Sequence, residues 1–541
     1  MRSIAHTTTR LGAYAASAAL VISGAVSGTL LAVAPADAAT HDPVAANLGA
    51  GWLQGQLSHG VLHNNQYNFD DIALSADFAY ALDAVGGHAT TVASILDTIE
   101  PRAHDEWYTS TFGGTTTTYG GSIAKLLVLV QQTGGTPTSY GGRNLVSLLG
   151  AQVATAAPVA GRLQNTNDAF GDANTIGQAY AAHGLKTANA AQATNATSFL
   201  LKQQCPGGGF RLLFTPSKTA TGQSCTDSTK AETDVTAIAV LQLASQAGSP
   251  GTVATAVTAA RTWLAGQQKS DGSWGGGPST QASNANSTGL AAQALGNTAR
   301  SEKAAQWLRA HQATDYDACD RLAGQRGAVA YDDAGLATGR REGITNPAAD
   351  QWRRASAQAV PALTYLPKDA TPAAPVLSGP RGYLKAGTRA ALTTTGVGTG
   401  DRLCLTGVGA AVQGTASGTT WRSTVTLPAG TATRVYKVRD SFGHADTQAL
   451  SVLGRRTLSV TKSQFRVKRR HLVTATVGGL APGEWSRIYY KGAFVRSGHA
   501  TATGKFVATF RVGRSKGRKL VQGFGQFTDI RRGATTIKVV R

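Results

Sequence analysis

Two acidic pairs, Asp70-Asp71 and Asp332-Asp333, are the side chains of this sequence best placed to do chemistry, with Asp172 and Asp234 as single companions. Paired carboxyls can divide acid and base work, one kept protonated as a donor, or flank a glycosidic bond a few ångströms apart. Each of these acids also stands near the start of a stretch with helical character. A carboxylate there accepts open backbone N–H groups and offsets the helix dipole. Asp71 fits that structural role, and Asp234 and Asn286, each two residues before a Thr, read as N-caps. Asp70, Asp71, Asp332 and Asp333 are the catalytic candidates. Trp107, Tyr108, Phe210, Trp274 and Tyr331 lie on the same connecting stretches and are candidates for an apolar ligand rim. No H-E-x-x-H or C-x-x-C string occurs. The Gly207–Gly209 and Gly275–Gly277 runs follow helices instead of opening them, so no phosphate cradle, cofactor or metal is expected.

Charge is the second source of chemistry. The 541-residue chain carries 51 Lys and Arg against 30 Asp and Glu, a net +21. Residues 455–541 hold twenty of those cations and only Glu484 and Asp529, whereas residues 1–367 are close to neutral. Arg466, Lys468, Arg469, Arg470, Arg514, Lys516, Arg518 and Lys519 form the densest clusters and are the candidate polyanion-binding residues, with Trp485, Tyr489, Tyr490 and Phe494 between them. Nucleic acid is the usual partner of such charge.

The N-terminus argues against that partner. Residues 1–38 read as an export signal: Arg2 and Arg10, an Ala-rich apolar run from Leu11 to Val33, then an Ala36-Asp37-Ala38 cleavage site. No later stretch approaches the roughly 20 apolar residues of a membrane helix. Outside the cell the expected partner is an anionic wall polymer or envelope surface, and no nucleic acid. No L-P-x-T-G sorting signal is present, so charge must do the retaining, and salt should weaken it. Of the four cysteines, Cys205 and Cys225 bracket one loop and are expected to pair in an oxidising compartment. Cys319 and Cys404 would then tie the helical part to the next domain, a pairing that spacing alone leaves open.

Behind the acids lie repeats. One kind of helix ends in an apolar pair and glutamine, as in Trp52-Leu53, Phe199-Leu200 with Gln203-Gln204, Trp263-Leu264 with Gln267-Gln268, and Trp307-Leu308 with Gln312. A second, Ala-rich kind starts at Ser75, Ser122, Thr175, Thr236, Thr288 and Ser356. A period near 50 residues with two helices each means a helical repeat architecture, here six pairs in two concentric rings. Short Gly-marked links join inner to outer helices. The outer-to-inner links are long, roughly 58–70, 102–121, 160–172, 205–233, 269–286 and 313–350, and should gather on one end of the barrel. That face is where function is expected. The expected fold is multidomain: an all-α (α/α)6 toroid over 39–367, a Pro/Ala linker over 368–376, and two all-β immunoglobulin-like sandwiches over 377–454 and 455–541.

The W-L-x-x-x-Q and G-x-W string, Trp263-Leu264, Gln268, Gly272 and Trp274, resembles the repeat of squalene and oxidosqualene cyclases. Protein prenyltransferases and cobalamin carriers share the related toroid. The resemblance covers roughly residues 40–367, is partial at Phe199–Phe210, and lacks the closing G-x-W after Gln312. It implies a fold more than an activity. The cyclases' D-x-D-D acid is matched only by Asn68-Phe69-Asp70-Asp71, and the prenyltransferase zinc triad only by Asp317-Ala318-Cys319 without a following His in the toroid. Complement-like thioester domains carry C-G-E-Q, and Cys205-Pro206-Gly207-Gly208 does not.

The sequence therefore reads as a secreted, wall-associated, non-catalytic protein offering its long-loop face to a small apolar or amphipathic ligand or a surface glycan. The alternatives are an extracellular enzyme with a carboxylate site on that face, a display scaffold, or a cobalamin carrier.

Overall fold

The computed structural model describes residues 41–167, 173–247, 251–278, 280–314, 319–368, 373–409, 411–440 and 442–541. The export stretch, Asp172, Asp317 and part of the Pro/Ala linker lie outside these.

Thirteen α-helices run through the first part among the described residues: α1 (Val44–Gly55), α2 (Ile72–Val85), α3 (Ala89–Ile99), α4 (Gly120–Gln132), α5 (Leu145–Ala151), α6 (Thr175–Thr187), α7 (Ala193–Leu201), α8 (Thr233–Leu243), α9 (Thr252–Gln267), α10 (Ala285–Leu295), α11 (Ala299–Ala310), α12 (Asp333–Glu342) and α13 (Asn346–Ala359). Helices α2, α4, α6, α8, α10 and α13 touch in that order, and α13 returns to α2. The inner ring is closed. Helices α3, α5, α7, α9 and α11 each pack outside the inner helix before them, and α1 packs on α13 and its 3-10 extension, Val360–Tyr365. A backbone bond from Asp42 N to Leu366 O (2.7 Å) fastens the two ends of the ring. The alanines of the inner helices follow from this crowding: a Cβ on Gly289 of α10 would lie 2.3 Å from Gln358 O of α13.

The repeat string proves to be a fastening. Gln268 Nε2 donates to Gly272 O in its own turn (3.0 Å) and to Arg300 O of α11 (2.9 Å). Gln204 bridges Gly208 O to Ala256 O of α9, and Gln312 bridges Gly327 O to Ala45 O of α1. Each glutamine so ties its outer helix to the next. Gly272 has φ +96°, and a Cβ there would stand 2.7 Å from Lys303 O, so the turn accepts only glycine.

The Ser/Thr starts have an equally local reason. Ser75, Thr236 and Thr288 each accept a loop N–H, from Leu62, Phe210 and Trp274, at 2.8–3.0 Å. Each hydroxyl donates in turn to the carbonyl four residues earlier. These residues therefore sit one turn inside their helices. The N-caps of α2 and α10 are Asp71 and Asn284, whose side chains accept from Leu74 and Ser287 N; Asn174 caps α6 through Gly177 N, and Glu232 precedes α8. Asp234 and Asn286 are corrected accordingly: both lie in the first helical turn, after Glu232 and Asn284. The sixth inner helix begins at Asn346, ten residues before Ser356, and α12 occupies the long loop ahead of it.

Beyond the helices come two sandwiches of two sheets each. In the first, strands Thr420–Thr426, Arg389–Thr395 and Val376–Ser378 face a five-stranded sheet centred on Ala432–Asp440. In the last, strands Ser459–Lys462, Leu472–Gly478 and Lys505–Arg511 face a six-stranded sheet built on Arg531–Val540, Gly517–Phe524 and Trp485–Tyr490. Their cores are separate, with Val477, Ile488, Val521 and Ile537 fully buried in the last. The Cys205–Cys225 bond is present, and Cys319 of the toroid is joined to Cys404 of the first sandwich. Beside that bond, buried Arg309 of α11 donates to Phe442 O, and burial lowers its pKa to about 10 despite nearby Asp440.

Candidate functional sites

All four sequence-selected acids carry structural work. Asp70 accepts from His63 Nδ1 (2.8 Å) and pairs with Arg102 (2.9 Å), and these contacts hold its carboxyl below the usual range against some burial. A proton donor needs the opposite shift. Asp71 caps α2 and pairs with Arg354 of α13 at 3.1 Å. Asp332 caps α12 through Gly335 N at 2.8 Å. Asp333 meets His311 Nε2 at 3.1 Å, its side chain otherwise open to solvent. Although adjacent, Asp70 and Asp71 point to different partners, as do Asp332 and Asp333.

Three of the five rim aromatics are corrected. Phe210 and Trp274 are fully buried and Tyr108 nearly so, because these rings pack the joint between consecutive repeats. Trp274 Nε1 donates to Leu264 O at 2.8 Å, which spends its polar edge inside. The exposed apolar side chains of the long loops are instead Tyr67, Phe69, Phe112 and Leu213. Trp107 and Tyr331 remain half-buried.

Trp107 lines a cleft of about 270 Å³ between the starts of α4 and α6, with Tyr119, Lys125, Asn165, Asn174 and Tyr180. The helices can meet there because Gly121 and Gly177 face each other: a Cβ on Gly177 would lie 2.9 Å from the Gly121 Cα. Lys125 pairs with Asp77 of α2, Tyr80 Oη donates to Lys125 O (2.7 Å), and the Tyr80 and Tyr180 rings lie 5.9 Å apart. Burial pushes both phenols well up. The cleft thus offers three aromatic walls and one ammonium, suited to a small amphipathic molecule.

Tyr331 marks a second place. Its phenol is raised by burial and then by the charges of Asp234 and Asp332. Burial likewise raises the carboxyl of Asp234, with Ser287 pulling the other way. Ser287 Oγ and Asp234 Oδ1 are nevertheless outside hydrogen-bond geometry with any partner among the described residues. This acid shifts in the direction that proton donation requires, opposite to Asp70.

The last sandwich presents the third site. Strand register sets Arg466, Lys538 and Arg518 side by side across Arg466–Lys468, Arg531–Val540 and Gly517–Phe524. All three are exposed on the outer face, as is Lys468. Lys519 pairs with Ile537 and so points to the other side, half-buried. Arg469 and Arg470 lie beyond the end of their strand, and Arg514 and Lys516 on the exposed connection to Gly517–Phe524. That connection reads Gly513-Arg514-Ser515-Lys516-Gly517, a G-x-S-x-G string joining two strands, so it is no nucleophile elbow. The module's two acids are both taken. Glu484 is buried and bidentate with Arg531 at 2.6 and 2.7 Å, and Asp529 pairs with Lys385 of the preceding sandwich. The exposed cations have no acid of their own module to neutralise them.

No protein-family profile and no curated protein matches the chain. Among solved structures, the type II terpene cyclase MstE from Scytonema is similar at 12% identity over 59% of this chain and 97% of its own, with a TM-score of 0.41. The fibronectin(III)-like modules of Clostridium thermocellum CbhA align at 11% identity over 30% of this chain and 93% of theirs, with a TM-score of 0.19. The Yersinia pseudotuberculosis adhesin InvE aligns at 14% identity over 31% of this chain and 59% of its own, with a TM-score of 0.18. The ring of helices and the paired sheets stand on their own contacts.

Proposed function

We propose that this chain is an exported, envelope-associated binding protein, held on an anionic polymer by its last sandwich while the toroid displays a long-loop face. One observation carries the reading: the Arg466–Lys538–Arg518 row is exposed while Glu484 and Asp529 are committed elsewhere. Two disulfides fit an oxidising compartment, and no helix among the described residues is long and apolar enough to cross a membrane. The small cleft beside Trp107 is where a toroid ligand would sit. On a column of immobilised dextran sulfate the full chain is expected to bind at low salt and elute by roughly 0.5–1 M NaCl, where the screening length falls to a few ångströms. Failure to bind at low salt rejects the reading, as does retention at 1 M.

A second reading, an enzyme with a toroid acid, rests on Asp234, whose pKa burial raises and whose Oδ1 lies outside hydrogen-bond geometry among the described residues. Its raised pKa means that folding loses stability as pH rises from the unfolded value through the folded one. Asp234→Asn should therefore raise the melting temperature at pH 7 in either case. If proton donation is the function, that same variant abolishes turnover of a polyprenyl substrate. A wild-type chain without turnover sinks this second reading.

A further inference from the structure

The cation row occupies one end of the outer sheet face. At the other end, six residues or about 20 Å along the same strand, the face changes character. Arg487 stands opposite Phe524, and Phe524 opposite Arg532. One row back toward the cations, Tyr489 stands between Phe494 and Gln522. The Tyr489 ring meets Phe494 edge-on at 5.8 Å and Phe524 at 5.6 Å. Trp485, on the same strand two residues before Arg487, packs on His499 at 4.9 Å. Their strand neighbours Ser486, Ile488, Val521 and Gly523 are buried, so alternation turns these rings and arginines outward. Phe494 is 58% exposed.

We infer that the polymer on this face is an acidic polysaccharide, with sugar rings on the aromatic end and carboxylates on the arginines and the cation row. The inference rests on the polyanion reading above and narrows it. Charge alone would be served by Arg466, Lys538 and Arg518, and a bare polyphosphate offers nothing for the rings to cover. A pyranose has an apolar C–H face that matches an aromatic ring, and Arg487 and Arg532 beside Phe524 can fork onto a carboxylate next to it. Nucleic-acid bases also stack on such rings, but the two disulfides fit the oxidising, exported setting of the reading above, where nucleic acid is not the resident polymer.

The test uses the full chain and three probes matched for charge: polygalacturonate, inorganic polyphosphate and single-stranded DNA. The wild type should bind polygalacturonate about tenfold more tightly than polyphosphate at 0.3 M NaCl. Phe494→Ala with Tyr489→Leu should lose about tenfold on polygalacturonate and less than about twofold on polyphosphate. Phe494 is exposed and outside the buried core cluster, so Phe494→Ala alone should melt with the wild type, which guards the result against misfolding. Equal loss on both polymers, or no loss on either, overturns the sugar inference and leaves the polyanion reading standing. Tighter, ring-dependent binding of single-stranded DNA overturns it in favour of nucleic acid. No binding of any probe by the wild type removes both.

Discussion

Reversing three charges, Arg466→Glu, Arg518→Glu and Lys538→Glu together, should weaken binding of the full chain to an anionic polymer about a hundredfold while leaving its melting temperature unchanged. The three side chains are neighbours in register and all exposed, so no core contact is lost. Three attractions are removed and three repulsions added. At about 0.5 kcal/mol for each exposed contact, six such terms make about 3 kcal/mol, or roughly a hundredfold. Salt dependence should flatten in parallel. A control at Arg514 and Lys516, on the neighbouring loop, should cost less than about tenfold, because those cations lie outside the row. Equal losses from the two sets would show diffuse charge instead of a face. The measurement is a titration of labelled polymer at several salt concentrations.

The sequence carried the ring further than the site. Spacing of the Trp-Leu-Gln ends and the Ser/Thr starts leads to six helix pairs because both signals are themselves structural: Gln268 and Thr288 each make the bonds that hold a repeat to its neighbour. The start of α13 was harder to place. Asn346-Pro347 opens the helix, whereas Ser356 marks only the position of its hydroxyl bond to Val329 N. In the last sandwich, strand Ala493–His499 escapes a reading by apolar alternation because its residues are mostly exposed. The turn before it, Lys491-Gly492 with φ +54° and +80°, was the available signal.

The site was less legible for a different reason. Composition places Arg466 and Lys468 in a cluster with Arg469 and Arg470, yet only register separates those on the face from those beyond the strand end. Lys538 and Arg487 are isolated in sequence, and they and Arg532 join the others only when four strands are laid together. Alternation alone could have hinted at them, since Lys538 stands between buried Ile537 and Val539. The rim aromatics show the same limit from the other side. Trp274 and Trp107 both sit on long loops, and nothing local tells which ring is swallowed by the next repeat.

That difference gives the second large effect. Trp274→Ala should destabilise the toroid by about 3–5 kcal/mol, the cost of removing a fully buried large aromatic. The loss is not only volume. Leu264 O would lose the indole N–H that satisfies it inside the core, and an unsatisfied buried carbonyl adds about 1–3 kcal/mol unless water enters. The cavity also falls between two repeats, where the Gln268 bridge and the Thr288 hydroxyl meet the same turn, so the damage should spread to the neighbouring helix pair. Trp107→Ala, by contrast, empties the wall of an existing cleft and should cost less than about 2 kcal/mol. Urea denaturation of the two variants, followed by helical circular dichroism, checks the pair. If Trp107→Ala proves the costlier change, the cleft is core and the long-loop face loses this candidate for a ligand site.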